Sequence, residues 1–375
     1  MSAAFRGDAV DHSLLQARLA REVPRRIAIV QTAFLGDTVF TSALVAGVAA
    51  RFPSAKITLV VTPRGRDVAA ATPHVHDVLV YDKRSADRGL SGFLRAARAL
   101  RERQCDVALL PHRSLRSSLL AWRAGIRERV GFSDAPGRLL YTSTARDPGG
   151  PFLLREAALL AALGGQSAAM QLIPTVESSQ AAEHRLELLG VASPIAADAG
   201  QARSRGDVRL VGLALGSEWE TKIWPTEQFA ELAKRLAARG LTPLLLGGPR
   251  ETQIAEQILR ACPEALDTTG NPISEALALL ATCVLCVGGD TGLSHAARAL
   301  SIPTLLLFGP TDPALHQIEI GSRALSLNLS CSPCGMHGAR RCPVQHHRCM
   351  RDLSASQVEA AAVELLSAQS GDRVE

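Results

Sequence analysis

Four short segments of this chain bring together residue types that bind anions or move protons. In Val287-Gly288-Gly289-Asp290-Thr291-Gly292-Leu293-Ser294-His295, an apolar strand from Cys283 to Val287 stops at two glycines, and a helix opens over Ser294 to Leu300. Side-chain-free glycines, the Thr291 hydroxyl and the amide N–H groups of a helix start make an anion site. In Gly216-Ser217-Glu218-Trp219-Glu220-Thr221-Lys222-Ile223-Trp224-Pro225, which follows a strand ending at Leu215, Gly216 and Ser217 offer backbone and hydroxyl donors. Lys222 supplies the compensating charge. The chain has only four lysines, Lys56, Lys83, Lys222 and Lys234, so one placed here is informative. A third turn, Leu246-Gly247-Gly248-Pro249-Arg250-Glu251, puts Glu251 where it serves either a ribose hydroxyl or the start of a helix. The fourth, Gln31-Thr32-Ala33-Phe34-Leu35-Gly36-Asp37-Thr38, sets Asp37 at a helix start, as its cap or as a general base.

Three such turns on one sheet edge describe a pocket for a nucleoside diphosphate. There is no Walker spacing and no Gly-x-Gly-x-x-Gly fingerprint, which disfavours a P-loop NTPase or a standard dinucleotide enzyme. No Asp-x-Asp pair is present to hold a divalent metal on a diphosphate. Charge on a leaving diphosphate would then fall to Lys222, Thr291, the helix N-terminus and His295.

The elements that must position these residues alternate, strand then helix, through two similar halves. In the first half strands are expected at Ile27 to Gln31, Ile57 to Val61, Val78 to Tyr81 and Val107 to Leu110; in the second, at Arg209 to Leu215, Pro243 to Leu246, Cys283 to Val287 and Thr304 to Phe308. The expected division is an N-terminal extension over 1–24, an acceptor-binding Rossmann-like domain over 25–191, a linker over 192–207 rich in Ala, Gly, Ser and Asp, a nucleotide-sugar-binding Rossmann-like domain over 208–353, and a helix with a tail over 354–375. The fold class is α/β, two doubly wound domains facing across a cleft, a natural place for two substrates.

A net charge of +5 is too small to imply nucleic acid, though Arg84 to Asp147 holds 13 arginines against six acidic residues. No apolar stretch approaches the roughly 18 residues of a membrane span, and the first 24 residues lack a signal peptide's apolar core, so a cytoplasmic protein is expected. Four cysteines, Cys105, Cys262, Cys283 and Cys286, sit in apolar segments as small core residues. Cys331, Cys334, Cys342 and Cys349, with His337, His346 and His347 nearby, look like a metal knuckle for structural zinc or iron, with packed thiols or a redox role as alternatives.

With these motifs in this order, the chain resembles the heptosyltransferases of glycosyltransferase family 9, which build the inner core of lipopolysaccharide. The matching pieces are Ile27 to Thr38 with Gly36-Asp37, Gly216 to Pro225 with Lys222 and Trp224, Gly288 to His295, and Phe308-Gly309-Pro310-Thr311-Asp312-Pro313; the likeness runs from Arg25 to Leu366. The resemblance implies a GT-B fold and an ADP-heptose donor on the second domain, with inverting transfer that needs no metal or other cofactor. It makes Asp37 the general base. Ser217 and Lys222 would hold the diphosphate, Asp290, Thr291, Gly292 and His295 the phosphates and sugar, and Glu251 the adenosine. The acceptor would be an anionic, lipid-linked Kdo sugar, reached by Arg64, Arg66, His112, Arg113 and Arg116. Such an acceptor implies peripheral association with the cytoplasmic face of the inner membrane. The C-terminal cysteine loop points to heptosyltransferase II, acting on heptosyl-Kdo-lipid A. Alternatives are types I and III on other inner-core acceptors, a non-catalytic nucleotide-sugar-binding GT-B protein, and a sugar-nucleotide epimerase.

Overall fold

The computed structural model describes residues 12–191, 208–319 and 321–371, with no account of the side chains of 369–371. The chain divides into two compact units, Met1–Met170 and Gln171–Glu375. The first contains α1 (Ser13–Arg21), β1 (Arg26–Gln31), α2 (Leu35–Arg51), β2 (Lys56–Val61), α3 (Arg66–Ala70), β3 (Val75–Val80), α4 (Gly89–Glu102), β4 (Val107–Leu110), α5 (Leu115–Arg123), β5 (Glu128–Phe132), β6 (Ser143–Ala145) and α6 (Phe152–Ala162). The second begins with α7 (Val176–Leu188), β7 (Leu210–Ala214), α8 (Thr226–Ala237), β8 (Thr242–Leu246), α9 (Thr252–Ala261) and β9 (Leu266–Asp267). It continues through α10 (Ile273–Ala281), β10 (Leu285–Gly289), α11 (Gly292–Ala299), β11 (Thr304–Phe308), β12 (Arg323–Ser326), α12 (Arg348–Arg351) and α13 (Ala355–Gly371).

Each unit holds a six-stranded parallel sheet, ordered β3-β2-β1-β4-β5-β6 and β12-β11-β10-β7-β8-β9. Counted from each unit's own first strand, the two orders are the same doubly wound arrangement, which reverses direction between β1 and β4 and between β7 and β10. Central strands of such sheets are covered on both faces, so they read as unbroken apolar runs rather than alternating ones. Ile27, Ala28, Ile29 and Val30 are all buried, as are Leu210, Val211, Leu213 and Ala214. Each Leu- or Ile-sized side chain so buried contributes about 1.5–3 kcal/mol. In the first unit α1, α2 and α6 bury side chains on one face of the sheet, while α4 and α5 cover the other.

Several expectations are corrected. Residues 13–21 are no loose extension: α1 buries Leu15 and Leu19 in the first unit's core. The first unit ends at Met170, not at 191, because the next segment is bonded into the second: the Leu172 N–H donates to the Ala299 carbonyl, and Arg185 on α7 reaches Glu275 and Asn271. The expected linker lies outside the described residues. The closing helix belongs to the second unit's core, where Val358, Ala361 and Ala362 are buried. Strands β5, β6, β9 and β12 were not expected. They lie on the outer sides of the sheets, where strands are short or partly polar and leave little periodic signal.

The glycine pair also behaves differently from its expected role as a turn. Gly288 and Gly289 are the last residues of β10, paired with Leu306 and Leu307 of β11. They are small because of what crosses them. A Cβ on Gly288 would stand 2.7 Å from the Ala214 Cβ, and one on Gly289 would stand 2.6 Å from the Lys222 carbonyl oxygen. Gly289→Ala therefore forces the Lys222 backbone away, at a cost of about 1–3 kcal/mol. A thermal melt of that variant should show a clearly lower Tm; an unchanged Tm would show that the Lys222 loop yields freely.

Candidate active site

In the first unit the candidate residues gather beyond the carboxyl ends of β1, β2 and β4, at the point where strand order reverses. Asp37 occupies the first turn of α2, half-buried, and its Oδ2 accepts the Phe34 N–H at 3.0 Å. The cap reading is thus realised in the structure. Gly65 packs against Thr38, the residue after Asp37, which brings the exposed Arg64 and Arg66 to the same end of the sheet. His112, after β4, lies 3.1 Å by Nδ1 from the Thr32 hydroxyl, while Lys83 Nζ donates to the Thr32 carbonyl at 2.7 Å. Burial, then the charge of Lys83, lowers the His112 pKa to about 4, so its imidazole is neutral near pH 7.

Arg113 and Arg116 are less open than their sequence positions suggest. Arg113 is ion-paired with Asp134 at 2.9 Å and with Asp147, and it lies over the Phe132 ring. Arg116 is bound to the Tyr81 hydroxyl and donates to the Asp87 carbonyl. Both guanidinium groups are committed to protein partners in this state.

One residue of this region carried no chemical signal in the sequence. Glu156, on α6, is buried against α2, with Oε1 at 3.3 Å from the Thr41 hydroxyl. That hydroxyl also donates to the Asp37 carbonyl at 2.9 Å and accepts from Gln31 Nε2 at 3.0 Å. Oε2 of Glu156 has no hydrogen-bond partner. Burial pushes its carboxyl up to about 8, the Thr41 hydrogen bond opposes this, and the nearby Asp37 charge adds to the rise. A raised carboxyl pKa favours the protonated folded state, so its stabilisation is complete below the ordinary carboxylate range and is lost as pH rises through about 8. Glu156→Gln, a permanently neutral near-isostere, should therefore melt close to wild type at pH 5 and above it at pH 9. Melts in parallel at both pH values would contradict a protonated Glu156.

In the second unit two of the candidate residues, Lys222 and His295, meet at the carboxylate of a third, Asp290. Asp290 follows β10 directly and is 6% exposed. Its Oδ2 accepts from Lys222 Nζ at 2.5 Å and from the Thr311 hydroxyl at 2.8 Å. Its Oδ1 lies 2.8 Å from His295 Nε2 and 3.4 Å from His316 Nε2. Arg298 Nη1 faces His295 Nδ1 at 3.1 Å; because a guanidinium only donates, the imidazole proton sits on Nε2 and is donated to Asp290. Burial pushes the His295 pKa down to about 4, consistent with a neutral ring. Burial alone would raise the Asp290 carboxyl, yet the hydrogen bonds from His295 and His316 hold it well below the usual range. The His295 and His316 rings stack at 4.8 Å, and Phe308 backs His316.

The three sequence turns follow β7, β10 and β8. Thr291 caps α11 by accepting the Ser294 N–H, leaving the first amides of the helix at the end of the sheet. Ser217 Oγ accepts the Trp219 N–H. Glu251 is buried against Gly216 and Gly247 and accepts the Gly248 N–H at 2.8 Å, so it fastens two loops together. Thr311, His316 and Arg298 were missed as members of this network. The Phe308-Gly309-Pro310-Thr311 turn was the one available signal for Thr311.

Among the described residues, Asp290, His295 and His316 are the only group of three His, Cys, Asp or Glu side chains whose ligand atoms lie within 4.8 Å of one another. Two cations, Lys222 and Arg298, already donate into that group, so its donor set suits a hydrogen-bonded carboxylate rather than a metal ion. Among the described residues the C-terminal sulfurs form no such group within 4.8 Å, yet they lie near one another: the thiols of Cys334, Cys342 and Cys331 all act on that of Cys349, and Cys331 Sγ is 3.8 Å from His346 Nε2. What the cysteine-bearing loop does is brace the lysine loop. Ala339 exchanges hydrogen bonds with Thr221, and His347 Nε2 donates to the Thr221 carbonyl at 2.8 Å.

Residues 93–344 match the family model described as glycosyltransferase family 9 (heptosyltransferase), about two thirds of the chain. The chain belongs to glycosyltransferase family 9. It is a glycosyltransferase, and its two parallel-sheet domains are those of the GT-B fold. Lipooligosaccharide heptosyltransferase 2 of Haemophilus influenzae is 26% identical over 301 residues, covering 76% of this chain and 84% of that protein. A family 9 glycosyltransferase structure from Veillonella parvula superposes with a TM-score of 0.79 at 21% identity, covering 92% of this chain and 98% of that one. The structure of E. coli ADP-heptose lps heptosyltransferase II gives a TM-score of 0.72 at 20% identity, with 92% and 99% covered.

Proposed function

We propose that this family 9 enzyme transfers heptose from ADP-heptose to the heptosyl-Kdo-lipid A inner core of lipopolysaccharide, with inversion and without a catalytic metal. The observation that carries the reading is the second unit's buried Lys222–Asp290 pair beside the capped start of α11. Such a site offers an ammonium and helix amides to a diphosphate leaving group. The likeness to a heptosyltransferase 2 over most of both chains, and the cysteine-bearing loop braced on Thr221, favour type II over types I and III.

In the reaction, Asp37 accepts the proton of the acceptor hydroxyl as its oxygen bonds to the anomeric carbon. The bond from that carbon to the distal phosphate oxygen breaks, and its electron pair leaves with ADP. Ser217, Lys222, Thr291 and Gly292 receive the diphosphate, and Asp290 with His295 keeps Lys222 in place rather than contacting phosphate through its own negative charge. Glu251 orders the adenosine side of the pocket. Arg64, Arg66 and His112 meet the acceptor's anionic groups, while Arg113 and Arg116 must first exchange their protein partners.

ADP release should require heptosyl-Kdo-lipid A and should fall by about 10²-fold or more in Asp37→Ala, the usual scale for a lost general base. Mass spectrometry of product and ADP measures both. Release with heptose-free Kdo-lipid A alone would make the enzyme type I, and an Asp37→Ala variant of unchanged kcat would remove Asp37 from the chemistry.

A further inference from the structure

Helices α4 and α5 lie side by side on one face of the first sheet, and their inner sides are ordinary: Ala96, Ala97, Leu100, Leu120, Ala121 and Ala124 are buried in one cluster with β1 and β4. The outer side of a surface helix is expected to be polar. Here it is not. Leu115, Leu119 and Trp122 recur at helical spacing along α5, with Trp122 51% exposed; Leu90 and Leu94 do the same on α4, with Leu90 73% exposed. A short turn that packs on α5 adds Leu139, 88% exposed.

Arginines edge this apolar surface. Arg88, Arg123 and Arg138 are exposed and make no ion pair among the described residues. Arg95 and Arg98 alone on α4 are offset, by Asp87 and Glu102. A Trp and leucines at the centre with unpaired arginines at the edge is the pattern of a surface that enters the headgroup layer of a negatively charged bilayer. Trp and Arg also mark protein–protein interfaces, so a second copy of the chain is one outcome of the test below; exposed apolar side chains on three elements, edged by arginines with no ion pair among the described residues, favour the bilayer. No helix among the described residues is long and apolar enough to cross a membrane, so attachment through this face would be reversible.

We propose that the outer face of α4 and α5, with Leu139, is a docking surface for an anionic phospholipid bilayer. This deepens the reading of a lipid-linked acceptor, since it would hold the first unit at the surface where such an acceptor lies. Docking of this kind combines apolar insertion with attraction to anionic headgroups, so it weakens with salt and with loss of either component.

Cosedimentation of the full chain with phosphatidylglycerol-containing vesicles, without donor or acceptor, tests it apart from catalysis. Wild type should pellet with these vesicles and not with pure phosphatidylcholine. Trp122→Ser/Leu139→Ser and Arg123→Glu/Arg138→Glu should each bind about tenfold or more weakly, with unchanged Tm. Both variants should turn over a deacylated, water-soluble acceptor at the wild-type rate, so a failure of docking and a failure of the transferase reading give different results. No pelleting of wild type, or equal pelleting of the variants, would overturn the proposal. So would a wild-type dimer that the same substitutions dissociate, which would assign the face to a second copy of the chain.

Discussion

The Asp290 carboxylate is the constraint on which the second unit's site depends. A negative charge this deeply buried persists only if several donors hold it, and here an ammonium, a hydroxyl and two imidazoles do so. Those donors come from four places in the sequence: the loop after β7, the helix after β10, the turn after β11 and the segment following it. The carboxylate therefore sets the mutual position of loops that no backbone pairing joins. Lys222 pays for this with reduced freedom. Its charge is delivered to a fixed point, which suits a ligand whose leaving group must be stabilised where it forms rather than where it first binds.

The first unit solves a related problem with the opposite charge state. Asp37 stands at a helix start, where its charge is favoured, while Glu156 nearby is buried deeply enough to stay protonated at neutral pH. Two carboxyl groups close together repel when both are charged, and the Asp37 charge adds to the burial that raises the Glu156 carboxyl. Thr41, bonded both to the Asp37 carbonyl and to Glu156, is the mechanical link between them.

Most of the architecture was legible because parallel strands buried on both faces announce themselves as short apolar runs, and Val107–Leu110 and Thr304–Phe308 fall where those runs do. Edge strands such as Leu266–Asp267 were not, being too short to carry a period. The unit boundary was missed because α7 buries only Ser178, Ala182 and Leu186 and so carries little apolar signal, and its long-range bonds to Glu275 and Asn271 are what tie it to the second unit. The candidate residues Lys222, Thr291 and Asp290 stood out through the glycines near them in sequence. Glu156, His316 and Arg298 were not, because a polar residue on a helix or in a loop gives no sign of burial until its partners, distant in sequence, are in place. The cysteine-bearing loop adds a role that its spacing did not announce, since Ala339 bonds to Thr221 and braces the lysine loop.

An organising role for the buried carboxylate requires Asp290 and Lys222 to act as one unit in nucleotide binding. The direct measurement is a double-mutant cycle on ADP affinity by isothermal titration calorimetry, with Asp290→Asn, Lys222→Met and the double variant. Coupled residues show interaction energies of about 0.5–3 kcal/mol, so each single substitution should cost nearly as much affinity as both together. Losses that simply add would mean that Lys222 meets the diphosphate without Asp290, and that the buried carboxylate does not organise the site.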